Sequence, residues 1–312
     1  MLAAPVNPAD LNQIQGVYPL EAAGPTRVGG NEGVGVVVAT SGESLLKAGD
    51  WVVPRRGAFG TWREQVVCLD DDVQVVSQNL PLSAAATFIV NPPTAYRLLH
   101  DFAQLQKGDV IVQNGANSAV GRYTIQMAKK MGIKTVNIIR DRPHYEALEK
   151  ELYELGATMV VKSTEFSKQE TQDYITRVVG GQPILGFNCI GGIATTEMSR
   201  FLSEGSTLVT YGGMAGKNPV ISTSSLIFRD IRYAGFWMSR WYQQANSNRE
   251  KDAERGKMFT EITEMFASGD LKPPNVKQFD FKQNWKEAIE MYTNPDSQAR
   301  SSDAKPLLII NK

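Results

Sequence analysis

The sequence predicts an α/β fold, a doubly wound parallel sheet preceded by a small β-barrel. Three observations carry that prediction. Residues 1–90 hold short β-branched runs between glycine turns, with no long helical period. From about residue 91, strand patterns and helix patterns alternate at the length of βαβ units. The 312 residues suit two domains, at roughly 150 per domain.

In the first segment, residues 2–6 read as the end of a strand that enters a loop at Asn7-Pro8. An opening in mid-element predicts a chain shortened at its N-terminus. Gly29-Gly30-Asn31-Glu32-Gly33-Val34-Gly35 leads into Val36-Val37-Val38, and Lys47-Ala48-Gly49-Asp50 turns into Trp51-Val52-Val53-Pro54. Residues 60–67 alternate like a half-buried strand. After Asn91-Pro92-Pro93, Thr94 is a candidate N-cap for a helix over 95–102. Strands are expected at 110–113, 135–139, 159–161, 185–189 and 207–211. The helices between them are expected at 119–131, stopped by Gly132, at 143–155 before Gly156, at 174–178 and at 195–202. Met258, Phe259, Ile262, Met265 and Phe266 recur at helical spacing up to Gly269 and read as core. A helix over 285–292 and a strand over 307–310 close the chain.

Composition excludes several function classes. Thirty-three basic against thirty-three acidic residues leave no net charge. That argues against a nucleic-acid partner, whose binding rests on phosphate neutralisation. Cys68, Cys189, His100 and His144 are the whole Cys/His complement. A structural zinc site needs four such ligands and a catalytic one three, so no metal is expected. Each thiol reads as buried and inert. No apolar run reaches the eighteen residues of a membrane span, and the first residues have neither signal-peptide nor presequence character.

The strongest local signal is Gln113-Asn114-Gly115-Ala116-Asn117-Ser118-Ala119-Val120-Gly121 between a strand and a helix. A dinucleotide pyrophosphate needs close backbone approach and a helix N-terminus at this point. Against G-x-G-x-x-G the positions are Ala116, Ser118 and Gly121, so one glycine of three is kept. About twenty residues on, the next strand ends in Arg140-Asp141-Arg142. Two guanidiniums suit a 2′-phosphate, which favours NADPH over NADH. Further glycine pairs follow later strands, at Asn188-Cys189-Ile190-Gly191-Gly192 and Tyr211-Gly212-Gly213-Met214.

These motifs, in this order, resemble the medium-chain dehydrogenase/reductase superfamily. Within it, Asn7-Pro8-Ala9-Asp10-Leu11-Asn12-Gln13-Ile14-Gln15-Gly16-Val17-Tyr18 is similar to the opening motif of mitochondrial trans-2-enoyl-thioester reductases. Gly29 to Gly33, Arg140-Asp141-Arg142-Pro143, Tyr211 to Met214 and Gly235-Phe236-Trp237 extend the match over nearly the whole chain, without the family's first barrel strands. The resemblance implies a Rossmann-type NADPH-binding domain over 91–235. It also implies a GroES-like catalytic domain, N-terminally incomplete, from 1–90 and 236–312. The implied activity is zinc-independent, NADPH-dependent reduction of enoyl-CoA or enoyl-acyl-carrier-protein in mitochondrial fatty-acid synthesis, by a homodimer. A mitochondrial location follows by resemblance, and a start without a presequence leaves a cytosolic short form open.

By the same match, Tyr18 is the catalytic tyrosine. Asn91 meets the nicotinamide ribose, and Asn117, Ser118, Ala119 and Val120 form the pyrophosphate turn. Arg140, Asp141 and Arg142 lie at the adenosine phosphate. Tyr211, Gly212, Gly213, Met214, Phe236, Trp237, Met238 and Lys305 complete the cofactor cleft, Trp237 doubling as an apolar wall for the acyl chain. Two other readings stay open: a quinone or enone reductase of the same superfamily, and an NADPH-binding regulatory protein without catalysis.

Overall fold

A computed structural model describes residues 1–20, 27–293 and 304–311. The chain forms two compact units, Met1–Pro93 with Met238–Lys312, and Thr94–Trp237.

The first unit opens with β1 (Ala3–Pro5), α1 (Pro8–Ile14), β2 (Gly35–Val36), β3 (Trp51–Pro54), β4 (Val73–Val76) and α2 (Leu82–Ala86). Where a loop was expected after Asn7, the chain makes α1. Pro8 sits in its first turn, where no N–H is required, and the Asp10 carboxylate reaches back to the Asn7 N–H at 2.7 Å. The strand expected over 60–67 does not form. Gly60 and Trp62 donate instead to the Gly30 and Gly29 carbonyls, and the left-handed φ of Gly30, Ala58 and Gly60 breaks any regular ladder.

The second unit follows α3 (Asn91–Asp101), which begins ahead of Thr94. Pro92 and Pro93 fit a first helical turn, so Thr94 lies inside the helix and is not its cap. Then come β5 (Val110–Asn114), α4 (Ala119–Met131), β6 (Lys134–Ile139), α5 (Tyr145–Leu155), β7 (Met159–Lys162), α6 (Ser163–Phe166) and α7 (Gln169–Val179). β8 (Leu185–Asn188), α8 (Ala194–Phe201), β9 (Thr207–Thr210), α9 (Thr223–Phe228) and β10 (Arg232–Gly235) complete it. The six strands form one parallel sheet in the order β10-β9-β8-β5-β6-β7. Side chains alternate across it. Val136, Ile138 and Val161 pack with Ile175, Met198 and Phe201, whereas Ile139 and Val160 pack with Ile125, Leu148 and Leu152. Chain order reverses between β5 and β8, and an open parallel sheet binds ligands at such a switch.

The first unit resumes with α10 (Met238–Ser247), α11 (Arg249–Ala267), β11 (Val276–Asp280), α12 (Trp285–Thr293) and β12 (Lys305–Ile309). Its strands make two three-stranded sheets, β1-β12-β11 and β2-β3-β4. The apolar stripe of α11 is buried, as its spacing predicts, and Phe259 meets Phe88 edge-on at 5.1 Å. Among the described residues, no helix is long and apolar enough to cross a membrane.

Candidate functional site

In the second unit, the turn after β5 is shaped by what a side chain would strike. A Cβ on Gly121 would lie 2.5 Å from the Ala116 carbonyl oxygen, so the helix start and the turn touch backbone to backbone. Gly115 has φ +57°, and a Cβ there would meet the Cys189 sulfur at 2.5 Å. Ser118 caps α4, its hydroxyl accepting the Gly121 N–H at 3.2 Å, with Asn117 just before and Ala119 and Val120 in the first turn.

Buried amides tie this turn to the ends of β8 and β9. The Asn114 amide nitrogen donates to Asn188 Oδ1 at 2.7 Å, and its oxygen accepts the Cys189 N–H at 2.8 Å. Asn188 Oδ1 also accepts the Gly191 N–H, while the Tyr211 and Met214 N–H groups donate to the Asn188 and Cys189 carbonyls, each at 2.9 Å. Tyr211, Gly212, Gly213 and Met214 are thus held beside the pyrophosphate turn. The Tyr211 hydroxyl is buried near Cys189 and Ser118 and makes no well-formed hydrogen bond among the described residues. Burial pushes the Cys189 thiol up to about 11. A backbone cradle and a capped helix N-terminus fit a dinucleotide pyrophosphate.

Arg140, Asp141 and Arg142 follow β6, the first two exposed and the third half-buried. Phe236 and Trp237 follow β10, both half-buried, with the Phe236 ring edge-on to Phe102 at 5.9 Å.

Tyr18, Asn91, Met238 and Lys305 belong to the other unit. Tyr18 is half-buried in the bend after α1, and Met238 is buried at the start of α10. Asn91 heads α3 with its buried amide nitrogen unpartnered among the described residues. Lys305 is 8% exposed; it donates to Asn7 Oδ1 and lies 3.6 Å from Glu32. Glu32 also accepts from the Asn7 side chain at 2.8 Å and the Val90 N–H at 3.1 Å. Asp10 accepts from the Asn31 side chain at 2.6 Å and its N–H at 2.9 Å. Asn31 passes on to Gln13 Oε1 at 3.1 Å, and the Gln13 amide nitrogen holds the Leu20 carbonyl at 2.8 Å, which anchors the stretch carrying Tyr18. Burial pushes Asp10 up to about 6, raises Glu32 and lowers Lys305.

Sequence reasoning quoted Asn114 and Asn188 within the glycine turns but gave neither a role, and it missed the charged set around Glu32. Cys68 requires a correction. It is exposed.

The sequence of residues 119–251 matches a family described as zinc-binding dehydrogenase. Among the described residues, no group of three His, Cys, Asp or Glu side chains could hold a metal ion. The mitochondrial enoyl-[acyl-carrier-protein] reductase of Caenorhabditis elegans is 46% identical over 277 residues, 88% of this chain and 77% of that one. Its Homo sapiens counterpart is 42% identical over 296 residues, 95% of this chain and 77% of that one. Among solved structures, the Etr1p complex with NADP and crotonyl-CoA aligns with a TM-score of 0.88 and 33% identity, covering 99% of this chain and 89% of that one. On these identities the chain belongs to the family of mitochondrial enoyl-[acyl-carrier-protein] reductases, within the medium-chain dehydrogenase/reductase superfamily.

Proposed function

We propose that this chain reduces trans-2-enoyl thioesters with NADPH. The observation that carries the proposal is the kinship with named enoyl reductases over most of the chain. The cradle formed by the ends of β5, β8 and β9 supports the cofactor half of the reading.

Bound there, NADPH supplies a hydride for the β-carbon. The protein's own residues must then hold the cofactor, stabilise charge and deliver a proton. Asn117, Ser118, Ala119 and Val120 offer main-chain donors and a helix N-terminus to the pyrophosphate, and Gly121 keeps that turn close to the helix. Arg140 and Arg142 give the strand tip its positive charge for a 2′-phosphate. Tyr211 to Met214, Asn91, Phe236, Trp237 and Met238 are assigned to the rest of the cofactor cleft. Lys305 is assigned to it only through its bonds to Asn7 and Glu32, which tie β12 to the loop entering α1.

Tyr18 is the proton donor in this proposal. Its hydroxyl donates a hydrogen bond to the thioester oxygen as negative charge builds on the enolate, then passes its proton towards the α-carbon. A second copy of the chain is the expected partner. β10 is an edge strand, and α9 before it exposes Leu226, Ile227 and Phe228, so the mass in solution should be that of a dimer. The family's naming supports a mitochondrial location.

Tyr18→Phe tests the assignment, since it keeps the ring and removes the hydroxyl. Reduction of trans-2-hexenoyl-CoA should fall about 10²–10³-fold in kcat, with NADPH binding unchanged. Activity within threefold of the parent would remove Tyr18 from the chemistry and bring a quinone or enone reductase forward.

A further inference from the structure

Asp141 is an awkward residue at a 2′-phosphate site. A carboxylate just beyond the second strand of a dinucleotide sheet is the group that grips the ribose 2′-hydroxyl of NADH, and a 2′-phosphate would be repelled by it. Asp141 stands two residues past β6, between Arg140 and Arg142.

The neighbouring strand supplies a counter-charge. β7 runs parallel to β6 in a register that sets Lys162 beside Ile139. The Lys162 ammonium lies 3.0 Å from an Asp141 carboxylate oxygen. It also rests over the Tyr145 ring, 4.6 Å from its centre, and the Tyr145 hydroxyl donates to Glu149 at 3.2 Å. The other acids acting on Lys162 are Glu146 and Glu165, and Glu165 is paired with Lys168 at 2.6 Å. The hydrogen bond that the ammonium donates to Asp141 is the main reason it holds its proton more tightly than usual.

We propose that Lys162 sets the choice between NADPH and NADH by neutralising Asp141. With Lys162 the strand tips carry three cations against one carboxylate; without it, two. The pair also occupies the carboxylate that would otherwise serve a ribose 2′-hydroxyl. The inference rests on the proposed use of NADPH, and it adds a residue from a different strand to that site.

The test is equilibrium titration of the intact chain with NADPH and with NADH, by calorimetry. Its proteins are the parent, Lys162→Gln, Lys162→Arg and the double variant Lys162→Gln/Asp141→Asn. A parent without preference for NADPH overturns the cofactor reading, and the inference with it. Given that preference, Lys162→Gln should weaken NADPH roughly three- to tenfold while NADH binds as before or more tightly. The difference should shrink at about 0.5 M salt, as expected for partly exposed charges. Lys162→Arg should keep the parent's ratio, and adding Asp141→Asn to Lys162→Gln should restore most of it. Equal changes for both cofactors, no change for either, or no recovery in the double variant would overturn the role of Lys162.

Discussion

The two units bury polar groups in opposite ways. In Thr94–Trp237 the buried set is neutral: Gln113, Asn114, Asn137 and Asn188, with Thr135, Thr195 and the half-buried Thr210, are joined amide to amide and amide to hydroxyl. In the other unit the buried set includes charges: Asp10 and Glu32 act on the Lys305 ammonium, and the Arg255 guanidinium is buried beside Asp252. Neutral hydrogen bonds of this kind are indifferent to ordinary pH. Buried charges are not, because each proton taken up or released changes the free energy of folding. The sheet that carries the pyrophosphate turn is therefore insulated from pH, while the anchor of the Tyr18 stretch is coupled to it.

Importing a charge into the neutral set should give the largest effect. The Asn137 side-chain nitrogen donates to the Thr135 and Met159 carbonyls, at 3.2 and 2.9 Å, in a fully buried position. Asn137→Asp sets a carboxyl oxygen against both carbonyls, so the new acid must stay protonated to remain inside. Holding that proton costs about 1.4 kcal/mol for each pH unit above roughly 3.9. The loss should approach about 5 kcal/mol at pH 7.5 and fall to about 1.5 kcal/mol at pH 5, read by urea unfolding. A loss that ignores pH would show that this network is not as dry as it looks.

Removing the cation beside Glu32 comes next. Lys305→Met leaves Glu32 buried without its ammonium, a change worth about 3–5 kcal/mol at neutral pH. Burial already raises the Glu32 carboxyl, so acid should return part of the loss by protonating it. The same deficit at pH 5 and pH 7.5 would mean that Lys305 acts through packing alone.

The contrast was unevenly legible in the sequence. Five of the six strands of the parallel sheet are expected from the sequence, whereas β10, Arg232-Tyr233-Ala234-Gly235, has no β-branched residue to mark it. Gly132 and Gly156 mark helix ends by a left-handed φ that other residues resist. The Arg140–Arg142 tip could be located by counting from the glycine turn, because sequence spacing carries that information. Lys162 could not, because only the register of β7 on β6 brings it to Asp141. Seven-residue α1 is too short to show a helical period, and its start is written in one capping pair, Asn7 and Asp10. Lys305 meets Asn7 from the far end of the chain, a contact that no local pattern predicts.

The smallest expected effect is the most discriminating, because its sign runs against a simple count of hydrogen bonds. Asp10 accepts three, from the Asn7 N–H and from the Asn31 N–H and side chain, yet desolvation outweighs them and pushes its carboxyl up from 3.8 to about 6. A folded-state value above the unfolded one means that the native protein holds the proton more tightly. The stability this contributes is present below about pH 4 and is lost as pH rises through 6, an amount of about 2–3 kcal/mol. Asp10→Asn is neutral at every pH, like the protonated acid, although its amide nitrogen cannot accept the Asn7 N–H as a carboxyl oxygen can. At pH 4, parent and variant should therefore unfold within about 1 kcal/mol of each other. By pH 7 the variant should lead by about 2 kcal/mol, although it has lost an acceptor. Urea unfolding of both proteins at pH 4, 5.5 and 7 decides the matter. A variant that falls further behind as pH rises would mean that the three donors outweigh burial, and the charged set would then be a stabilising anchor for α1. A variant that moves ahead makes Asp10 a residue retained at a cost in stability, at the base of the stretch that carries Tyr18.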